Sequence, residues 1–196
     1  MSGIVIQPGR AGGMIAAPPS KSYAHRAVIA AALARGESSI ANLELSQDIE
    51  ATIGAMGALG AGIGLEREEG GRLSARIRGI EGLPAEPSLI DCRESGSSLR
   101  FLLPVALTVA GGAVFTGSER LGRRPLGPYL DLFDKHGIAY EQADGGFPLR
   151  VRGRLHPGRF GLPGNVSSQF ITGLLLALPL LAGRSEIEIT GACESL

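Results

Sequence analysis

Three short clusters of small polar residues, each running straight into an apolar stretch, hold the chemistry available to this chain. They are Ser20-Lys21-Ser22-Tyr23-Ala24-His25-Arg26 ahead of Ala27 to Ala34, Ser95-Gly96-Ser97-Ser98-Leu99-Arg100 ahead of Phe101 to Ala110, and Asn165-Val166-Ser167-Ser168-Gln169 ahead of Phe170 to Leu181. A Ser or Asn at such a junction accepts a hydrogen bond from the orphan N–H groups of a helix's first turn. Those same donors, backed by the helix dipole, attract anions. Two of the clusters also carry cations, Lys21 and Arg26 in the first and Arg100 in the second. Helix tips and cations together make a site for phosphate or carboxylate.

The elements that must position these tips recur with the same period. The clusters stand roughly 70 to 76 residues apart. The stretch Gly62-Ile63-Gly64-Leu65-Glu66, Gly70-Gly71, Ala75-Arg76-Ile77-Arg78-Gly79 is echoed by Gly137-Ile138-Ala139-Tyr140-Glu141, Gly145-Gly146, Leu149-Arg150-Val151-Arg152-Gly153. Each unit reads as a capped helix, a strand, a second helix and two strands around a Gly-Gly turn. The first unit is expected to place helices over 21–34 and 48–59 and strands over 38–43, 63–68 and 72–78. For the second, the pattern predicts helices over 98–110 and 128–136 and strands over 113–116, 138–142 and 148–152. A third unit opens at Asn165 and reaches the strand Glu186 to Thr190, but Leu196 comes before any second helix or hairpin, so the chain reads as a fragment lacking about 40 residues of that unit.

Composition sets bounds on function. A length of 196 residues with 44% hydrophobic content supports one domain with a true core. Lys plus Arg equals Asp plus Glu at 19 each, which leaves no overall field to gather nucleic acid or anionic lipid. The longest apolar run, Leu174 to Ala182, is interrupted by Pro179 and is too short to span a bilayer, and Met1 to Ile6 has no signal-peptide pattern. A cytoplasmic protein without nucleic-acid or membrane partners is expected. Cys92 and Cys193 fit no metal or redox spacing and read as small buried side chains. The scattered His25, His136 and His156 predict no metal, and no cofactor motif is present. His136, before Gly137, reads as a helix-end residue whose cationic form suits the dipole. The glycines of Gly54-Ala55-Met56-Gly57-Ala58-Leu59-Gly60 fall late in a helical pattern and are expected to serve close helix packing.

These residues resemble a family. Pro18-Pro19-Ser20-Lys21-Ser22-Tyr23-Ala24-His25-Arg26-Ala27 is similar to the opening signature of the 5-enolpyruvylshikimate-3-phosphate synthases, and the resemblance continues in order through Ser46-Gln47-Asp48, Ser95 to Phe101, Arg123-Arg124-Pro125-Leu126 and Val166 to Phe170. It implies an α/β (α+β) fold of repeated βαβαββ units, an inside-out lobe of the enolpyruvyl transferase type with helices inside and sheets outside, its third unit incomplete. It also implies a division into 1–16, whose strand Ile4 to Ile6 would belong to a missing second lobe, and a first lobe over 17–196 with units near 17–80, 88–154 and 158–196. That second lobe is expected in cis or as another chain.

The implied reaction transfers the enolpyruvyl group of phosphoenolpyruvate to the 5-hydroxyl of shikimate 3-phosphate, releasing phosphate. By resemblance Lys21 and Arg124 are the catalytic residues. Lys21, Ser22, Arg26, Gly96, Arg124, Ser167, Ser168, Gln169 and Ser195 bind the two substrates. Lys21 stands between the anions, Ser22 and Arg26 hold the shikimate carboxylate, Ser167 and Ser168 its phosphate, and Gln169 touches both ligands. Gly96 admits phosphoenolpyruvate and Arg124 pairs with its phosphate, while Asp48 and Arg100 are supporting candidates. Glu94-Ser95-Gly96-Ser97-Ser98-Leu99-Arg100-Phe101 departs from the usual Asn-Ala-Gly-Thr-Ala-Met-Arg-Pro, so membership of the glyphosate target family carries no reading on glyphosate sensitivity here. The acid and base residues are expected in the second lobe, and the isolated chain is expected to bind shikimate 3-phosphate weakly if at all and to turn over nothing. The alternatives are a UDP-N-acetylglucosamine enolpyruvyl transferase and a non-catalytic anion-binding module. The first typically carries Lys-Asn where this chain has Lys21-Ser22, and a cysteine in the loop matching Ser118 to Arg124, where none stands. Neutral charge and the lack of a base-stacking aromatic array argue against an RNA-processing relative.

Overall fold

The computed structural model describes residues 3–5, 7–10, 12–14, 17–67, 72–82 and 87–192. The first run of elements is α1 (Lys21–Leu33), β1 (Glu37–Leu43), α2 (Gln47–Ala58), β2 (Gly62–Arg67) and β3 (Leu73–Arg78). The second is β4 (Ser88–Asp91), α3 (Gly96–Val109), β5 (Gly112–Thr116), the single turn α4 (Glu119–Gly122), α5 (Gly127–His136), β6 (Ala139–Gln142) and β7 (Leu149–Arg152). The third is β8 (Arg159–Pro163), α6 (Gln169–Ala177), a 3-10 turn over Leu178–Leu180, and β9 (Glu186–Thr190).

The sheets repeat one pattern. β1-β3-β2 is wholly antiparallel, and β5-β7-β6 reproduces it, with Ile63 facing Ile77 in one and Tyr140 facing Val151 in the other. The second sheet gains β4 alongside β5 in parallel, and β8 pairs with β9 the same way. The strands β4 and β8 lead into helices as the resemblance implies, though hydrophobic periodicity missed them. β4 and β8 alternate between buried and exposed residues over only four and five positions, too short a run to stand out.

The core lies among the helices. Ten of the 14 residues of α3 are buried, and α3 packs between α2 and α6 while the strands of β1 and β6 keep mostly exposed outer positions. Pro104 inside α3 has no N–H to give the carbonyl of Arg100, four residues back. The buried hydroxyl of Tyr129 takes over, its single proton shared between the carbonyls of Arg100 at 2.9 Å and Phe170 at 2.8 Å, and so ties α5 to α3 and α6. Burial raises the Tyr129 pKa well above its ordinary value, with Arg100 opposing, so the phenol stays a donor. None of the described helices is long and apolar enough to cross a membrane.

Several sequence expectations change. The helix expected through Leu181 ends at Ala177, because Pro179 cannot donate to the helical ladder and the chain tightens into a 3-10 turn. Gly54 and Gly57 do not mediate helix packing: a Cβ on either would meet nothing within 4 Å, and both lie on the solvent side of α2. Close approach occurs instead at Gly173, where a Cβ would meet the Arg100 carbonyl at 2.5 Å. His136 ends α5 before the left-handed Gly137, but its ring stacks on Phe160 at 4.5 Å. Burial lowers its pKa, outweighing the hydrogen bond its ring donates to the backbone of Arg159, which disfavours the cationic role at the helix end. Ile4 and Val5 are exposed and lie in no strand, whereas Ile6, the turn glycines Gly70 and Gly71, Cys193 and Ser195 lie outside the described residues.

Candidate functional site

Side-chain pairs between helices show how the tips are aligned. Lys21 Nζ lies 2.8 Å from Asp48 Oδ2, and one turn further along both helices His25 Nδ1 lies 2.7 Å from Thr52 Oγ1. Both pairs have the same offset, so α1 and α2 run parallel with their first turns side by side. Thr52 meets Ser98 in the first turn of α3, Gln169 at the start of α6 meets Ser97 and Arg100, and Tyr129 in the first turn of α5 meets Arg100 and Phe170. Five helix N-termini therefore gather at one end of the helical layer. Their dipoles converge on a positive face.

Caps define three of these ends. Ser20 Oγ accepts from the Tyr23 N–H at 3.4 Å, Ser46 Oγ from Ile49 at 3.4 Å, and Ser95 Oγ from Ser98 at 3.1 Å. The third cluster departs from its expected form. Ser168 at the start of α6 makes no side-chain cap bond, and Ser167 Oγ accepts from the Gln169 N–H at 3.3 Å. Ser167 and Ser168 are exposed.

Cations surround this end with few carboxylates to quench them. Asp48 pairs with Lys21 across a partly exposed contact. Arg26 is half-buried: Nη1 donates to the Ser22 carbonyl at 2.8 Å, Nη2 to Thr172 Oγ1 at 3.4 Å, and the guanidinium lies 5.3 Å from the Phe101 ring centroid. Arg100 donates to Gln169 Oε1 at 2.8 Å and to the Pro125 carbonyl, with its guanidinium 5.0 Å from the Phe170 ring centroid. Burial lowers the Arg100 pKa from its ordinary value, with Arg124 adding to the effect and Tyr129 opposing it; a guanidinium remains charged all the same. Arg26, Arg100 and Arg124 form no ion pair among the described residues.

Gly96 explains how two of these cations come so near a helix tip. It is the first residue of α3, buried, and a Cβ there would stand 2.5 Å from Arg124 Nη1 and 3.5 Å from Arg100 Nη1. Hydrogen instead of methyl lets both guanidiniums close over the backbone. The tips near Ser22, Gly96 and Ser168 thus meet: Arg26 reaches from Ser22 to Thr172, and Gln169 Nε2 donates to Ser97 Oγ at 2.8 Å.

The sequence reading missed a buried polar chain beneath these tips. His25, Thr52, Ser95 and Ser98 are all at most 1% exposed and link His25 to Thr52, Thr52 to Ser98 at 2.8 Å, and Ser98 to Ser95 at 2.7 Å. The signal available was a histidine and a threonine placed on the apolar faces of their helices. Cys92, buried just ahead of α3, has its pKa pushed up to about 12 by burial and Asp91, which leaves an inert thiol.

Comparison with known proteins follows the same lines. The family model of EPSP synthase (3-phosphoshikimate 1-carboxyvinyltransferase) matches residues 5–196. The 3-phosphoshikimate 1-carboxyvinyltransferase of Clostridium beijerinckii is 48% identical over 199 residues, and that of Clostridium novyi 47%, each alignment covering 100% of this chain but only 45% and 46% of the relative. The chain therefore spans about half the length of the curated relatives it matches. Among solved structures, an EPSP synthase from Acinetobacter baumannii superposes with a TM-score of 0.73 at 23% identity, over 93% of this chain and 41% of that one, a likeness of fold.

Proposed function

The chain belongs to the EPSP synthase (3-phosphoshikimate 1-carboxyvinyltransferase) family, and from that membership we propose that it forms the shikimate 3-phosphate-binding lobe of a cytoplasmic enolpyruvyl transferase. In the proposed reaction the 5-hydroxyl of shikimate 3-phosphate gives its proton to a base as its oxygen bonds to C2 of phosphoenolpyruvate, and C3 takes up a proton as the C2–C3 double bond opens. The tetrahedral adduct then expels phosphate, and C3 releases a proton to restore the double bond. Both substrates are multiply charged anions, so holding them side by side requires cations that no carboxylate already neutralises.

One observation carries the reading: five helix N-termini and the guanidiniums of Arg26, Arg100 and Arg124, which form no ion pair among the described residues, share one end of the helical layer. In the proposed complex Lys21 lies between the anions and leaves Asp48 to meet them. Ser22 and Arg26 take the shikimate carboxylate, the exposed residues Ser167 and Ser168 its phosphate, and Gln169 spans both ligands. Arg124 grips the phosphate of phosphoenolpyruvate over Gly96, with Arg100 beside it. Ser195, outside the described residues, is assigned to the shikimate substrate from the resemblance alone. The proton-shuttling groups are assigned to a second lobe, in cis or from another chain.

Calorimetric titration with shikimate 3-phosphate and, separately, with UDP-N-acetylglucosamine tests the assignment. Binding of the first and not the second is expected, together with no phosphate release in a coupled assay on the isolated chain. Preference for the nucleotide sugar would overturn the substrate, and phosphate release at an ordinary enzyme rate would overturn the division of labour between lobes.

A further inference from the structure

We propose that His25 is a positioning residue: as the neutral Nδ1–H tautomer it heads a one-way hydrogen-bond chain through Thr52 and Ser98 to Ser95 that sets the first turns of α1, α2 and α3 against one another. The proposal rests on the preceding reading of the site for what those turns bind. Every link is short, at 2.7 Å, 2.8 Å and 2.7 Å, and each hydroxyl has a single proton to give. The protons can therefore all point toward Ser95 or all point toward His25. In the second case the ring carries its proton on Nε2, which is buried and has no partner among the described residues. A buried N–H without an acceptor is less tolerated than an unfilled lone pair, which selects the chain running from His25 to Ser95.

The geometry gives the chain its consequence. Lys21 lies one turn before His25, Asp48 one turn before Thr52, and Gly96 beside Ser95 two residues before Ser98. The backbone carbonyl of Asp48 lies 3.3 and 3.4 Å from the Thr52 and Ser98 hydroxyls, farther than any link of the chain, so their protons stay with the shorter links. A single row of hydroxyls thus ties the Lys21–Asp48 pair to the tip where Arg124 closes over Gly96. The groups facing the ring are Asp48 from α2, Lys21 and Arg26 from α1, and Phe101 from α3, whose ring meets it edge-on at 6.2 Å. Burial dominates among them and brings the His25 pKa down to about 4, with Asp48 opposing and Lys21 and Arg26 assisting, so the ring is neutral at physiological pH.

Nitrogen-15 NMR of the wild-type chain decides the tautomer without any variant. A protonated Nδ1 with a bare Nε2 is expected, and a protonated Nε2 or a doubly protonated ring at pH 7 overturns the proposal. Affinity for shikimate 3-phosphate is then compared among wild type, Thr52→Val, His25→Phe and His25→Asn, each at matched fold by circular dichroism. The Asn amide nitrogen sits one bond beyond Cγ, as Nδ1 does, and can donate to Thr52. Loss of at least about tenfold in the Val and Phe variants, with Asn within about threefold of wild type, is the expected pattern; a tenfold factor corresponds to about 1.4 kcal/mol. Equal loss in all three, or no loss in any, overturns it. Should the wild-type chain ignore shikimate 3-phosphate, the substrate reading falls, and the same comparison made with inorganic phosphate together with the ring tautomer still decides this one.

Discussion

Replacing Gly96 with alanine should separate binding from stability. The new Cβ would stand 2.5 Å from Arg124 Nη1, where an optimal contact is about 3.5 Å, so the guanidinium must retreat by about 1 Å. The obstruction is the far end of a flexible side chain, and the backbone of α3 need not move. Alanine also suits a helix better than glycine, by up to about 1 kcal/mol in an interior position and less at this first one. Thermal melting should therefore stay level or rise by a degree or two. Anion binding should fall, because a displaced guanidinium forfeits charge-assisted hydrogen bonds worth about 1.5–3 kcal/mol, or roughly 10- to 150-fold in affinity. The assay is an NMR titration with inorganic phosphate following the residue 96 amide and the arginine side chains, alongside melting curves. Gly173→Ala is the contrast, since its Cβ would meet the Arg100 carbonyl at 2.5 Å as well as the Tyr129 hydroxyl. Overpacking there costs about 1–3 kcal/mol, partly offset by helix propensity, and melting should drop. Unchanged phosphate affinity in Gly96→Ala, or a melting loss as large as that of Gly173→Ala, would refute the idea that Gly96 exists to let Arg124 close.

Three further outcomes are expected. Asp48→Asn frees Lys21 from its carboxylate, so phosphate affinity should rise at low ionic strength and the gain should shrink in salt, while stability changes by less than about 1 kcal/mol because the pair is partly exposed; titrations at two salt concentrations check both. Tyr129→Phe strips the donor from the Arg100 carbonyl that Pro104 leaves open and from that of Phe170, with an expected loss of about 1–3 kcal/mol in urea unfolding. His25 has a folded pKa of about 4 against an ordinary 6.5, so the unfolded chain binds more protons between those values. Its contribution, on the order of 3 kcal/mol, is fully present above pH 6.5 and lost as pH falls toward 4; urea unfolding across that window should be steeper in pH for wild type than for His25→Asn.

Much of the local architecture was legible because its signals are local. Ser20, Ser46 and Ser95 cap helices through N–H groups three residues away, and Gly137 stops α5 with a left-handed turn. The echo of residues 62–79 in 137–153 places the two hairpins, whose registers set Ile63 against Ile77 and Tyr140 against Val151. Where local rules competed, the reading slipped. The glycines of α2 carry no mark of whether they face a neighbour or solvent, and Pro179 ended a helix that hydrophobicity alone would have continued. His136 stands where a cation is favoured by the dipole, yet Phe160, 24 positions later in the chain, covers its ring.

What the chain's order of residues determined by itself is the threefold recurrence of a Ser-rich helix start and apolar run, while the family and the fold it implies came from the resemblance of the motifs between Pro18 and Phe170. Tertiary structure alone decided that five helix starts point the same way, that Arg26, Arg100 and Arg124 meet no carboxylate among the described residues while Lys21 meets one, and that His25 joins a buried line of hydroxyls. The reason is one of range. Caps and periodicity act within a few residues, whereas the contacts that shape this site join positions 27, 46, 69, 72 and 146 residues apart, and only the packing of α1, α2, α3 and α6 brings them within hydrogen-bond reach.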